Sequence, residues 1–454
     1  MTIKEIIMLI RFSVENYKSF KERQIFSMVA GKQTRHPTHC LHIDDKQLLK
    51  SSFFFGANAS GKSNFVRAID FMRTVVVKGT NTIRYSDRYF RIDPEFKNKP
   101  GVFQIDFLSD GNVYSYGFAI NYLTHEIKAE WLYRIDLQGK EQCIFERQEG
   151  EKIQTDYPFD EKSKVRFEIY SEDVKPEELL LSVIGNKDLV DESGFADYLS
   201  AYKWFKKIEV VYPESHARNR NDFFLNSASS IESLANMLRL FDTGIDGVGK
   251  VKQLAEKAFS FLPEEIKKDL LDEIAKNLIE KLKDSSDIKI NIGQNQFDIS
   301  IENGEIMAEK IMFDHGNKLD LFELSDESDG TKRLVDLLPL YDIGKNERVI
   351  IVDELDRSLH SKLTQKYIEL FFKITADKPS QLICTTHDVN LINLELLRQD
   401  EIWFVERGKD HASRIYSLSD YLHRSDKNVM NDYLLGRYGA IPHIDDIEFQ
   451  EEMK

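Results

Sequence analysis

Between Phe53 and Asn64 the chain reads Phe-Phe-Phe-Gly-Ala-Asn-Ala-Ser-Gly-Lys-Ser-Asn. An apolar run stops at a glycine and small residues follow. After a second glycine come a lysine, a hydroxyl side chain and a helical pattern from Phe65 onward. This is G-x-x-x-x-G-K-[ST] between a strand and a helix, the setting in which the pattern carries a mechanism. Gly56, Ala57, Asn58, Ala59, Ser60 and Gly61 present little side chain, so their backbone N–H groups can close around a polyphosphate, and the following helix adds partial positive charge. Lys62 can reach the β- and γ-phosphates, the Ser63 hydroxyl can ligate Mg²⁺, and Asn64 completes the stretch. The alternative, a glycine-rich turn that merely caps a helix, is disfavoured once the flanks are counted. The first functional expectation is therefore a nucleotide site.

The 454 residues leave room for two or three domains, or for one large core with an insertion, and the 41% hydrophobic content supports a sizeable core. No apolar run approaches the roughly 18 residues of a membrane span, and Met1 to Arg11 lacks a small-residue cleavage site, so neither a membrane anchor nor a secretory signal is expected. Met8 is itself a candidate natural start. Three cysteines, Cys40, Cys143 and Cys384, are far apart and odd in number, without a C-x-x-C pair; a reducing cytoplasm follows as the expected location. A formal charge of −15, from 62 basic and 77 acidic residues, excludes a surface that is basic all round but not a local groove. The most basic stretches, Lys78 to Arg91 and Lys203 to Arg220, interleave aromatics and read as solvated faces over ordinary core rings.

Alternation predicts a strand from Leu9, a polar turn near Phe20 and a second strand over Gln24 to Val29. His36, His39 and His42 lie in an aperiodic stretch, read as a loop rather than a metal site. Val102 to Ile135 alternates strongly, with turns at Ser109–Asn112 and near Thr124, which predicts a β-meander; another strand pair is expected between Gln142 and Tyr157. Pro176 to Lys206 reads as helical, Lys207 to Tyr212 as a strand, and Ser227 to Asp284 as mostly helices. Ile288 to Phe313 returns to strands, with a hairpin turn at Asn303-Gly304.

In the second half, Arg348-Val349-Ile350-Ile351-Val352-Asp353-Glu354 is a buried strand ending in two acids, the partner that a phosphate loop requires. Asp353 can hold Mg²⁺ opposite Ser63, and Glu354 is placed to polarise the attacking water. The strand Gln381 to Thr385 ends at Thr386-His387, and His387 beyond a parallel strand can sense the γ-phosphate.

These residues resemble the ATP-binding-cassette class of ATPases, in particular its SMC/RecF-like branch. Gly56 to Ser63 matches the Walker A loop, Val349 to Glu354 the Walker B strand with its catalytic glutamate, Leu355 to His360 with Asp356 the D-loop, and His387 the switch histidine. Ser328-Asp329-Gly330-Thr331 stands in the place of the signature, departing from the common Ser-Gly-Gly-Gln form. Within the class, Ile10 to Phe20, Glu327 to Leu334 and Gly436-Arg437-Tyr438-Gly439-Ala440-Ile441-Pro442 resemble prokaryotic AAA15-type ATPases of anti-phage defence, such as RloA/AbiL-like and PARIS ATPase-like proteins.

The resemblance implies an α/β fold: an ABC-type head built from residues 1–160 and 319–454, with an antiparallel β-subdomain and a mainly helical insertion over 161–318. It implies ATP and Mg²⁺ as ligands and a homodimer, or a higher oligomer, sandwiching two ATPs. In that dimer Ser328, Asp329 and Gly330 of one subunit would face the γ-phosphate held by the other. The implied partner is an effector protein, a TOPRIM-type or RloB-like nuclease, under a phage-encoded trigger. Two other readings stay open: a RecF-like DNA-repair ATPase that clamps a duplex, and a head whose slow hydrolysis makes ATP a structural ligand. No Q-loop glutamine is identifiable; Gln104 is the available candidate.

Overall fold

The computed structural model describes residues 6–43, 46–80, 86–136, 139–187, 193–214, 228–281, 288–292, 295–338, 340, 348–421 and 428–442. The chain forms two compact units, one of Met1–Pro213, Ile343–Asp356 and Thr364–Lys454, the other of Glu214–Asp342 with Arg357–Leu363.

The first unit is built on two six-stranded sheets. One is antiparallel, in the order Gln24–Ser27, Met8–Glu15, Gly101–Ser109, Asn112–Ile120, Ile127–Ile135, Glu141–Gln148. Its last four strands follow one another in sequence, as the alternation from Val102 predicts. The expected strand after Glu141–Gln148 reduces to a single bridge between Glu146 and Gln154.

The other sheet runs Ile208–Val211, Val349–Val352, Gln381–Thr385, Ser51–Phe55, Ile402–Arg407, Ser413–Ser417. Every neighbouring pair in it is parallel except the last. Its central strands are buried along their whole length, which is why they read as unbroken apolar runs rather than as alternation.

Helix Lys62–Lys78 belongs to the core that both sheets share. Phe65, three residues after Lys62, shows how: its ring lies 4.3 Å from Phe54 of the parallel sheet and 5.8 Å from Phe12 of the antiparallel one. Farther along, Phe71 packs 5.1 Å from Phe103. A helix apolar on more than one face is what a position between two sheets requires. Trp204 and Phe205, from the basic stretch beginning at Lys203, are core rings, and Trp204 stacks 4.4 Å from Phe107. The rest of that stretch from residue 215 and residues 81–85 of the other basic stretch lie outside the described residues.

At the amino end of the parallel strands, Glu401 accepts hydrogen bonds from Ser51 Oγ at 2.6 Å and Arg398 N at 2.7 Å, and pairs with His39 Nδ1 at 2.9 Å. His39 is thus tied to one carboxylate, and among the described residues no group of three or more His, Cys, Asp or Glu side chains could hold a metal. No helix among them is long and apolar enough to cross a membrane.

The second unit has its own four-stranded antiparallel sheet, in the order Gly247–Leu254, Glu305–Asp314, Asn295–Glu302, Ile288–Ile292. The hairpin at Asn303-Gly304 has positive φ at both residues, 53° and 86°, as a tight two-residue turn needs. Helices Ala228–Leu240, Ala255–Ala258, Glu264–Lys281 and Asp329–Leu337 accompany the sheet. Strand Gly247–Leu254 falls where the sequence reading expected helices. Its valines, Val248 and Val251, stand three apart and so out of step with a period of two, yet the strand pairs residue for residue with Met307–Asp314.

Candidate nucleotide site

Strand Ser51–Phe55 lies between two parallel neighbours, so the loop that leaves its carboxyl end opens where ligands gather in such sheets. Two glycines let the loop fit. At Gly56, φ is 157° and an added Cβ would lie 2.3 Å from the Val405 carbonyl oxygen; at Gly61, φ is 115° and a Cβ would lie 2.2 Å from Ser413 Oγ. Two serines clamp the loop from outside. Ser413 Oγ donates to the Ser60 carbonyl at 2.5 Å, Ser413 N donates to the Ser19 carbonyl at 2.7 Å, and Asn64 Nδ2 donates to Ser19 Oγ at 2.8 Å. Ala57 is partly exposed, while Asn58 and Ala59 are exposed at the loop's tip.

Lys62 is buried, and its Nζ donates to the carbonyls of Gly56 at 2.7 Å and Ala57 at 3.1 Å. Burial lowers its pKa to about 8, against the opposing pull of Asp353, Asp356 and Glu354.

Those acids come from the neighbouring strands. Asp353 is 1% exposed, and its Oδ1 accepts from both Ser63 Oγ at 3.1 Å and Thr385 Oγ1 at 2.6 Å. Thr385 Oγ1 also accepts from the Glu354 N–H at 2.8 Å. One hydroxyl therefore links the carboxylate of Asp353 to the peptide of Glu354, which sits in the left-handed region at φ 51°. The His387 N–H donates to both Asp356 carboxylate oxygens, at 3.1 and 3.2 Å. The His387 imidazole is held below its ordinary pKa by partial burial and then by the Lys62 charge, opposed by Asp356, Glu354 and Asp353.

One cluster thus gathers Gly56 to Asn64, Asp353, Glu354, Asp356 and His387 at the carboxyl ends of three adjacent parallel strands. Ser328, Asp329 and Gly330 belong to the second unit. There Ser328 caps helix Asp329–Leu337, its Oγ accepting from Thr331 N at 3.1 Å. Gly330 lies close to the backbone at Ser358, since a Cβ on it would sit 2.9 Å from the Ser358 carbonyl oxygen. Gln104 hydrogen-bonds Ser115 and Asp106 on the antiparallel sheet. The sequence reading missed Thr385, Ser19 and Ser413. Ser19 lies inside the Asn16-Tyr17-Lys18-Ser19-Phe20 stretch that resembles the AAA15-type proteins, but nothing in its own sequence marks it as a loop clamp.

The donor set suits Mg²⁺: Ser63 Oγ and one Asp353 oxygen already meet. A magnesium ion commonly takes only one or two protein oxygens and completes its shell with phosphate and water.

Three solved structures of 14% identity align over most of their own length. An Smc head bound to the C-winged helix domain of ScpA covers 90% of this chain and 97% of its own, with a TM-score of 0.39. The SMC head domain from Thermotoga maritima covers 90% and 98%, with a TM-score of 0.36. An Smc head with an extended coiled coil, bound to the C-terminal domain of ScpA derived from Pyrococcus furiosus, covers 91% and 96%, with a TM-score of 0.39. No curated protein matches the sequence. A family profile does match, over residues 51–393, and that span takes in the phosphate loop, the paired acids and His387. By that match the chain belongs to the AAA_21 family, described as AAA domain, putative AbiEii toxin, Type IV TA system.

Proposed function

We propose that this protein is an ABC/SMC-like ATPase that pairs around ATP and, through that pairing, regulates a partner effector in prokaryotic anti-phage defence. The observation that carries the ATPase reading is the hydrogen-bonded set Ser63–Asp353–Thr385–Glu354 beside the buried Lys62. It joins segments nearly 300 positions apart in the chain, with Ser63 and Asp353 separated by 290.

In this reading the loop N–H groups and Lys62 bind the phosphates. Lys62 exchanges its two backbone acceptors for phosphate oxygens. Ser63 and Asp353 would hold Mg²⁺, which when bound would supply positive charge to neutralise the phosphates. Glu354 orients the attacking water and accepts its proton. His387, held against Asp356 through its backbone, meets the γ-phosphate, and Asp356 adjusts that contact. Asp329 adds a negative charge next to Ser328, which favours slow turnover. Two subunits pair, each Ser328 loop closing over the other's nucleotide, so that ATP binding shifts the population toward the paired form.

The effector and defence roles are supported by the resemblance of Ile10 to Phe20, Glu327 to Leu334 and Gly436 to Pro442 to AAA15-type proteins. A TOPRIM-type or RloB-like nuclease is the partner that this resemblance suggests. The test is turnover and nucleotide retention in two variants. Lys62→Ala should abolish ATP binding, and Glu354→Gln should bind ATP while hydrolysing it at least about 100-fold more slowly. Wild-type turnover in both would remove the site assignment.

A further inference from the structure

The segment that leads into Ser328 is fastened to the four-stranded sheet of the second unit at several points. Phe313 and Phe322 exchange backbone hydrogen bonds, 2.8 Å in each direction. Lys310 pairs with Glu323, and Glu323 and Asp326 cap the single turn between them. The last fastener is ionic. His315, one residue past strand Glu305–Asp314, sets Nε2 2.7 Å from Glu327 Oε1, and Glu327 immediately precedes Ser328.

The Glu327 side chain is 5% exposed and that of His315 28%. A carboxylate taken this far out of water needs a charged donor. The ring is held from other sides as well. Gly244, in the turn after helix Ala228–Leu240, lies beside it, since an added Cβ there would sit 3.7 Å from His315 Nδ1, and Phe322 meets it edge-on at 4.8 Å. His315 thus joins the Gly244 turn, the sheet and the signature segment, and helix Ala228–Leu240 itself packs on helix Asp329–Leu337.

We propose that His315 is a positioning residue for the signature loop: through Glu327 it holds Ser328 in its capping geometry, and so sets how readily one subunit's loop closes over the nucleotide of another. The inference rests on the paired-head reading given above. The Ser328 loop cannot shift without breaking a bond that also fixes the sheet, so closure is coupled to the second unit as a whole. It is also coupled to one proton. The Glu327 hydrogen bond and charge, the Gly244 backbone and Asp246 raise the His315 pKa above its ordinary 6.5, against partial burial. The acids that act on the ring are Glu327 on the signature side and Asp246 on the approach to strand Gly247–Leu254, and both favour the charged form. For a histidine whose folded pKa is raised, the stabilising bond is fully present below 6.5 and is lost as pH rises through the raised value. Pairing should therefore weaken with rising pH.

The test uses the full chain carrying Glu354→Gln, so that ATP is retained, and measures mass by light scattering against protein concentration from pH 6 to pH 8.5. Adding His315→Gln should raise the concentration for half-pairing about ten-fold at low pH and flatten the pH slope. Affinity for a fluorescent ATP analogue, measured at protein concentrations below pairing, should stay at the parent value. Glu327→Gln, equal in length and uncharged, should do the same, and it decides the matter if His315→Gln fails to fold. Parent-like pairing with the parent's pH slope in a folded variant overturns this inference alone. A parent that never pairs with ATP overturns the paired-head reading, and this inference with it.

Discussion

Lys62 carries the most direct pH consequence at the residue scale. In the folded protein its pKa is about 8, lowered from 10.5 by burial. A phosphate ligand binds the protonated amine, so the charged fraction is nearly complete at pH 7 and falls as pH rises through that value. ATP affinity should therefore drop by roughly ten-fold per pH unit above about 9, with proton uptake on binding around pH 8. Titration calorimetry in buffers of differing ionisation enthalpy measures that uptake; none at pH 8 would contradict the burial argument.

Thr385 gives a second prediction at this scale. Its hydroxyl donates to Asp353 and accepts from the Glu354 N–H, so Thr385→Val removes both contacts at nearly constant volume. Hydrogen bonds to charged groups contribute about 1.5–3 kcal/mol, and turnover should fall by about ten-fold or more with a raised Mg²⁺ requirement. Thr385→Ser should restore most of it. A Val variant with unchanged magnesium dependence would show that Asp353 is held well enough by Ser63 and its own strand.

At the scale of elements, legibility in the sequence followed burial and periodicity. The parallel strands were readable because burial on both faces makes them continuous apolar runs, and each ends in the residue that matters: Phe55 before Gly56, Val352 before Asp353, Thr385 two before His387. The β-meander was readable because one sheet face alternates with the other. Strand Gly247–Leu254 was hidden because its valines, three residues apart among glycines and lysines, do not alternate, and its pairing partner lies more than fifty residues downstream. The edge strand Ser413–Ser417 was hidden because it is short and polar, yet it places Ser413 on the phosphate loop.

That packing explains why the loop tolerates nothing larger than glycine at two points. A Cβ at position 56 meets backbone, the Val405 carbonyl at 2.3 Å, whereas at position 61 it meets the hydroxyl of Ser413 at 2.2 Å. Backbone cannot step aside as a side chain can. Gly56→Ala should therefore lower the thermal midpoint more than Gly61→Ala, at a cost of about 2–3 kcal/mol. Double substitution with Ser413→Ala should recover part of the loss only for position 61. Equal losses at both positions in thermal denaturation would mean that the strained φ, and not the neighbouring atoms, sets the cost.

At the scale of the whole molecule the question is what ATP assembles. The first unit holds the phosphate loop and the acids, while the Ser328 loop belongs to the second, fastened to that unit's own sheet by His315 and Glu327. If the Ser328 loop closes a partner's site, a bulky cation there should leave nucleotide capture intact and stop pairing. Ser328→Arg removes the hydroxyl cap, which costs about 1 kcal/mol locally, and projects a long side chain from the start of helix Asp329–Leu337. ATP should still bind through the Lys62 loop with the affinity of an unpaired parent subunit, while light scattering in the Glu354→Gln background should report a single subunit where the parent reports two. The same samples separate the effector reading from a duplex clamp. A clamp would bind DNA only in the paired form and lose that affinity steeply with added salt, because released counterions mark phosphate contacts. An acidic chain of net charge −15 that acts through a protein effector should instead keep its ATP-dependent pairing across that salt range and show no ATP-dependent retention of duplex.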